Sequence, residues 1–330
     1  MVGLLLEAHP QEQVSQVRLT SLVQVLIFGA VCGLLLHVAA TWMSNLLKRF
    51  LTALVAGSVV ITAIVLSQWG TMIFCALVSI LGLHEFYRIT GVKSTIAKWF
   101  LIGMSFVVWY YWGWEAFAPH NETAFPHPFY FRLNLHGFIG LIAALAAIIL
   151  LFEKKVTLPA QEMGLMGFGY IYVLVPMSLL FQLTVLTRSN AIGSNDYHFQ
   201  TILGTLMLTW CLDTMAYFCG RFLGKHKLWE RISPKKTWEG AIGGALFCMG
   251  LACAFEFWIW PMNFSWIVVG AIISIFAQLG DLVESLYKRG LQIKDSGGIL
   301  PGHGGILDRF DGLLIATPLI YLYIQWTNWN

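Results

Sequence analysis

Long apolar runs of about 17–25 residues, separated by short polar breaks, dominate the chain. Each is about the length a helix needs to cross bilayer hydrocarbon, and none alternates with polar residues as a membrane strand would. Ten spans are expected, at residues 20–43, 51–68, 69–87, 97–114, 137–152, 163–186, 201–220, 240–258, 265–283 and 312–326. Only Gln68, Trp69 and Gly70 separate the second from the third, so a tight helical hairpin is expected there. The expected fold is all-α: a polytopic integral membrane bundle of about ten transmembrane helices.

The charges between spans give that bundle an orientation. If spans alternate, Lys48, Arg49, Arg88, Lys93, Lys98, Lys154 and Lys155 fall on one side, together with the cations of 221–236 and 288–309. The opposite side receives a 115–136 loop carrying only Arg132 and a 188–200 loop carrying only Arg188. Cations collect on the cytoplasmic side of membrane proteins, so both termini are expected outside and two charged loops in the cytoplasm. Trp109, Tyr110, Tyr111, Trp112 and Trp114 crowd one span end, as interfacial anchors do. The N-terminus lacks a basic n-region, so the first span is expected to insert without cleavage of a signal peptide.

Composition agrees and narrows the functional classes. The 330 residues are 58% hydrophobic and only 11% charged, with a mean hydropathy of +0.71, which excludes a pair of soluble domains. A net charge of +3 is too small to suggest nucleic acid as a partner. All six cysteines lie in apolar runs without metal-type spacing and read as small packed hydrophobes. Polar chemistry gathers after residue 210, dividing the chain into a 1–200 transmembrane scaffold and a 201–330 catalytic region.

Three stretches carry that chemistry. Residues 281–311 place Asp281, Glu284, Asp295, Asp308 and Asp311 among Lys288, Arg289, Lys294, His303 and Arg309, with five glycines and Pro301 between the last charges. Carboxylates bind divalent cations, while basic side chains and free backbone N–H groups bind phosphate. Glycines let the backbone approach an anion closely, so the stretch has the makings of a metal–nucleotide site. Asp281, Glu284 and Lys288 share one helical face, and Asp308 and Asp311 stand one turn apart. Asp213, an acid inside a span, is a second candidate, since such a group is costly to bury without a partner. The third is the basic loop 221–240, where Pro234 is expected to open a helix whose early glycines expose N–H groups to an anion beside Lys235 and Lys236. Its Gly220, Gly224 and Lys225 do not have Walker A spacing.

At these residues the chain resembles the phosphatidate cytidylyltransferases, or CDP-diacylglycerol synthases. Their C-terminal signature is matched by Ser285, Lys288-Arg289, Lys294-Asp295, Pro301-Gly302-His303-Gly304-Gly305 and Asp308-Arg309-Phe310-Asp311. Tyr287 stands where an aliphatic residue or Phe is usual. A second region is matched by Asp213, Ala216-Tyr217, Gly220-Arg221 and the run from Ser233 to Gly240. The resemblance covers roughly residues 205–315.

The resemblance implies transfer of CMP from CTP to phosphatidic acid, giving CDP-diacylglycerol and pyrophosphate in phospholipid biosynthesis. It implies Mg²⁺ at one or two ion positions, a bilayer-resident lipid substrate, and a homodimer. On this reading Asp213, Asp281, Glu284, Asp308 and Asp311 supply the metal's carboxylates. Asp281, Lys288, Arg289, Lys294, Asp308, Arg309 and Asp311 carry the reaction. Ser233, Lys235, Lys236, Thr237, Glu239, His303, Gly304 and Gly305 bind substrate. Two rivals are a membrane transferase of another kind and, of another class, a transporter or an inactive membrane scaffold derived from the same fold. The CDP-alcohol phosphotransferase pattern does not occur in order, and transporter sites sit at midplane in broken, repeated spans. Here the charges lie in two loops, expected at the headgroup level of the cytoplasmic leaflet.

Overall fold

The computed structural model describes residues 57–58, 60–65, 67–117, 145–146, 148–150, 158–188, 198–260, 262–293, 296–297 and 304–329. Helix α1 (Gln68–Ile89) begins where the Ser67 hydroxyl accepts the Gly70 N–H at 2.9 Å, and it ends before Gly91, whose φ of +69° suits glycine. Helix α2 (Thr95–Phe117) starts beside Ser94, whose Oγ accepts the Ala97 N–H at 3.1 Å. Next come α3 (Pro159–Gly169), a π-helical turn (Tyr170–Leu174) and α4 (Val175–Arg188), one continuous rod with Pro159 at its first position. The Lys93 N–H donates to both Glu162 oxygens at 3.0 and 3.1 Å, fixing the start of α3 to the turn between α1 and α2.

Helix α5 (His198–Leu223) leads into a hairpin of β1 (Lys227–Trp229) and β2 (Ser233–Thr237). Helix α6 (Trp238–Ala254) follows with a second π turn (Phe255–Ile259), then α7 (Trp266–Gly290) and α8 (Leu307–Trp329). In α5, Thr205 and Thr209 return their hydroxyls to carbonyls one turn back at 2.7 and 2.9 Å. That is how a span carries hydroxyls without leaving a donor unmet.

Seven of the expected spans coincide with these long rods, and five are long and apolar enough to cross a membrane: Gln68–Ile89, Pro159–Thr187, Phe199–Leu223, Trp238–Ile259 and Trp266–Gly290. The protein is helical, with rods of membrane-crossing length and an outward surface rich in apolar side chains such as Phe222, Trp258 and Leu246. The expected span at 20–43 lies outside the described residues, as do most of 137–152 and the first six residues of 51–68. One expectation is corrected. Pro234 does not open a helix; it lies in β2, and helix α6 starts four residues later with Thr237 as its cap, Gly240 N–H to Thr237 Oγ1 at 3.2 Å. Proline lacks an N–H but tolerates an edge strand, and both strands of a two-stranded hairpin are edges. The fold is therefore helical but for this one hairpin among the described residues.

Glycines set how closely the helices cross. A Cβ at Gly240 would stand 2.7 Å from the Ala216 carbonyl oxygen, and one at Gly244 would stand 2.8 Å from that of Leu212. Contacts this tight bring the backbones of α5 and α6 together without a layer of side chains. At the other crossing, a Cβ at Gly280 would meet the Asp311 carbonyl at 2.5 Å, and one at Gly312 would meet that of Ala277 at 3.0 Å. Asp281 follows Gly280 and Asp311 precedes Gly312, so this crossing brings the two acids within electrostatic range of each other. Gly240→Ala is expected to cost about 1–3 kcal/mol, because rigid backbone rather than a mobile side chain must yield. A lowered melting temperature in detergent would register it, and an unchanged one would refute the tight crossing.

Candidate active site

Helix α7 ends in a row of charge. Glu284 and Lys288, one turn apart, pair at 2.7 Å, and Lys288 Nζ also reaches Asp308 Oδ1 at 2.6 Å. The side chains are buried, at 6% exposure for Glu284 and 13% for Lys288, so this is an internal ion pair rather than a surface one. An ammonium between two carboxylates offsets the cost of taking all three from water, and removing it strands both acids. On the same face, Asp281 accepts the Ser285 hydroxyl at 3.2 Å through Oδ1.

Asp308 opens α8 and gathers the loop before it. Its oxygens accept the Gly305 N–H at 2.8 Å and the Ser296 N–H at 3.0 Å, besides the Lys288 ammonium. Burial opposes its charge, but Lys288 and the two amides outweigh that and hold its pKa below the ordinary carboxylate value. Gly304 has a φ of +86°, and a Cβ there would stand 2.7 Å from Asp308 Oδ2. Here the glycine is required both by the turn and by the acid it wraps.

An unexpected residue completes this loop. Glu85, fully buried near the end of α1, accepts the Ser296 hydroxyl at 2.6 Å and the Ile306 N–H at 2.7 Å. Its Oε2 also lies 3.4 Å from the Leu307 N–H, so it caps α8 from another helix. Arg88, one turn further on, donates to the Ser296 carbonyl at 3.0 Å. An acid inside an apolar run is the signal that singled out Asp213, and it marks Glu85 equally. The nearby His84 and Arg88 make Glu85 look like part of an interfacial charge group in the sequence.

The remaining acids lie around the α7–α8 crossing. Asp311 is half-buried within electrostatic range of Asp281, Glu284 and Asp213, and its Oδ1 accepts the Gly312 N–H at 2.7 Å. Asp213, on α5, is exposed and feels Asp281, Lys236 and Arg309. Tyr172, in the π turn after α3, lies within range of Asp311, Glu284 and Asp281. Its buried hydroxyl and the buried Glu284 Oε1 have no hydrogen-bond partner among the described residues. The rings of Tyr172, Phe168 and Tyr287 stack in series, with centroids 5.3 and 5.7 Å apart. With Phe86 and Leu307 they line a narrow crevice that ends at Glu284 and Lys288.

The basic hairpin comes to the same place. Lys236 Nζ lies 2.5 Å from Asp281 Oδ2, and Arg289 Nε lies 3.4 Å from the Ile232 carbonyl oxygen. Two segments about fifty residues apart thus meet at the end of α7. Ser233 is half-buried at the head of β2, and Lys235 is exposed. Thr237 caps α6. Glu239 turns back to accept the N–H groups of Lys225 and His226 at 3.0 and 3.2 Å and to contact the His226 ring at 2.6 Å. It therefore closes the turn entering the hairpin. Arg309 is exposed in the first turn of α8. Lys294 and His303 lie outside the described residues.

Five acids thus lie within electrostatic range of one another around the ends of α7 and α8, with Lys236 and Lys288 paired among them. No three of the described His, Cys, Asp and Glu side chains already surround one point as a metal's ligands would. In kind, though, they suit a hard divalent ion: they are all carboxylates, one with an unmatched buried oxygen.

Comparison with known proteins places the chain as a whole. The model of the Cytidylyltransferase family matches residues 47–327. The chain is 32% identical over 279 residues to a phosphatidate cytidylyltransferase of Staphylococcus aureus (strain COL), covering 84% of this chain and 98% of that one. It is 31% identical over 288 residues to a phosphatidate cytidylyltransferase of Bacillus subtilis (strain 168), covering 86% and 98%.

Proposed function

This chain belongs to the cytidylyltransferase family, and from that premise we infer that the cleft at the end of α7 is where its two substrates meet. The protein is a nucleotidyltransferase of phospholipid biosynthesis: it transfers CMP from CTP to phosphatidic acid, giving CDP-diacylglycerol and pyrophosphate. A phosphate oxygen of phosphatidate attacks the α-phosphorus of CTP. The new bond is P–O–P, and the bond broken is that between the α-phosphorus and the oxygen bridging to the β-phosphorus, which leaves on pyrophosphate. The attacking oxygen is already ionised at neutral pH, so no protein nucleophile is required. The work is to hold two polyanions in line and offset their charge.

The observation that supports this reading most is the contact between Lys236 of the hairpin and Asp281 of α7. It sets a cation-bearing strand against the acid cluster, as a nucleotide gripped from both sides requires. Lys235, Lys236, Arg289 and Arg309, with Lys294 and Lys288, neutralise the triphosphate and the lipid phosphate. Asp213, Asp281, Glu284 and Asp311, with Asp308, are the residues that would hold Mg²⁺. When bound, the ion stabilises negative charge on the triphosphate and its leaving group. Glu284 Oε1 and the crowded acids around Asp311 are what such an ion would satisfy.

The aromatic crevice, with room for little more than a water, would wall the lipid's path rather than hold its chains. Phe168 is 41% exposed, so a lipid would enter laterally past its ring toward Lys288, which also lines the crevice. This lateral entry lets phosphatidate react without leaving the membrane, at the cytoplasmic leaflet where CTP is available. The direct test is purified protein in detergent with phosphatidate, labelled CTP and Mg²⁺. A lipid-extractable cytidine product that unlabelled CTP suppresses, and other nucleotides do not, supports the reading. No lipid-linked label would overturn it.

A further inference from the structure

We propose that Glu85 is a positioning residue for the transfer, which rests on the function above. Its carboxylate fastens both ends of the glycine-rich segment and thereby aims the first turn of α8 at the cleft. The chain arrives at Glu85 through Ser296, departs through Gly297, and returns to it through Gly305, Ile306 and Leu307. One oxygen takes the Ser296 hydroxyl at 2.6 Å, and the other takes the amides of Ile306 and Leu307 at 2.7 and 3.4 Å. A segment this rich in glycine has much conformational freedom to lose on ordering. Joining its two ends at one buried carboxylate removes a large part of that freedom before substrate arrives.

Two glycines of the segment are explained by this grip. A Cβ at Gly305 would overlap Glu85 Oε1 and the Ser296 hydroxyl, and one at Gly297 would overlap the same carboxylate oxygen. Both positions are bare because Glu85 fills the space. Gly305, expected from the sequence to face a phosphate, lies against Glu85 and gives its N–H to Asp308. The consequence passes straight to the cleft, because the residues Glu85 holds are those that hold Asp308. Ser296 and Gly305 give their amides to Asp308, which receives Lys288, and Asp311 stands one turn further along α8. Glu85 is fully buried and offers no surface to either substrate. It acts through Asp308 and Asp311.

Glu85→Gln keeps the size of the side chain but leaves one acceptor oxygen for donors that now have two. Turnover is expected to fall about 30–100-fold, the scale on which small misplacements act on catalysis. CTP-binding stoichiometry and the melting temperature in detergent should stay close to wild type. A purely structural role would instead reduce the number of CTP sites per protein while leaving turnover per site unchanged, and that result overturns the proposal. So would turnover within about threefold of wild type. If Glu85→Gln does not accumulate, Ser296→Ala decides, since it removes one donor and keeps the carboxylate. A fall in turnover per CTP site of about fivefold or more supports the latch, and unchanged turnover sinks it. Wild-type protein assayed alongside separates the two readings. Active wild type beside an unimpaired variant overturns only this inference, whereas inactive wild type overturns the functional reading and this one together.

Discussion

Replacing Asp311 with asparagine is expected to lower formation of CDP-diacylglycerol by at least about a hundredfold while leaving the protein folded. The amide oxygen of asparagine can still accept the Gly312 N–H, so the local backbone contact of 2.7 Å survives. What disappears is an ionisable carboxyl within range of Asp281, Glu284 and Asp213. Those neighbours repel it, so its loss should leave the melting temperature unchanged or raised. Higher stability with lost activity is the signature of a charge held for function against the fold's own preference. Activity and melting temperature measured on one preparation check the claim. Retention of most activity would remove Asp311 from the site, and the same standard applies to Asp281→Ala.

Replacing Lys288 should do the reverse and damage the fold first. Lys288 is the common partner of Glu284 and Asp308, at 2.7 and 2.6 Å, and all three side chains are largely buried. Lys288→Met keeps the volume but leaves two buried carboxylates without their cation, a change expected to cost about 3–5 kcal/mol. Lower yield and a lower melting temperature in detergent should follow. Adding Glu284→Gln and Asp308→Asn to Lys288→Met is expected to restore most of the stability and none of the activity. If Lys288→Met alone melts like wild type, the internal ion pair does not hold this end of the bundle together.

Much of this was legible in the chain, for identifiable reasons. A continuous apolar run has only one way to satisfy its backbone in lipid, so α1, α5, α6 and α7 fall where the sequence puts them. Helical spacing placed Asp281, Glu284 and Lys288 on one face, and two of these are now seen in contact. Other features depend on residues distant in the chain. The Ser233–Thr237 strand has the composition of a helix entry and becomes a strand by pairing with Lys227–Trp229. Glu239 reads as a substrate-binding residue from its place in the run, and nothing local announces that the turn at Lys225 and His226 folds onto it. Glu85 lies more than two hundred residues from the loop it fastens, so no local pattern links them. The π turn that carries Tyr172 has no sequence signal at all.

The central claim is that the hairpin and the acid cluster grip one nucleotide, and their coupling can be measured. The measurement is CTP-dependent formation of lipid-linked cytidine by wild type, Lys236→Ala, Asp281→Asn and the double variant, compared as a cycle. If Lys236 and Asp281 act on the same bound CTP, the double variant should be little worse than the weaker single one. Losses that simply multiply would mean the two segments act independently, and would contradict the account.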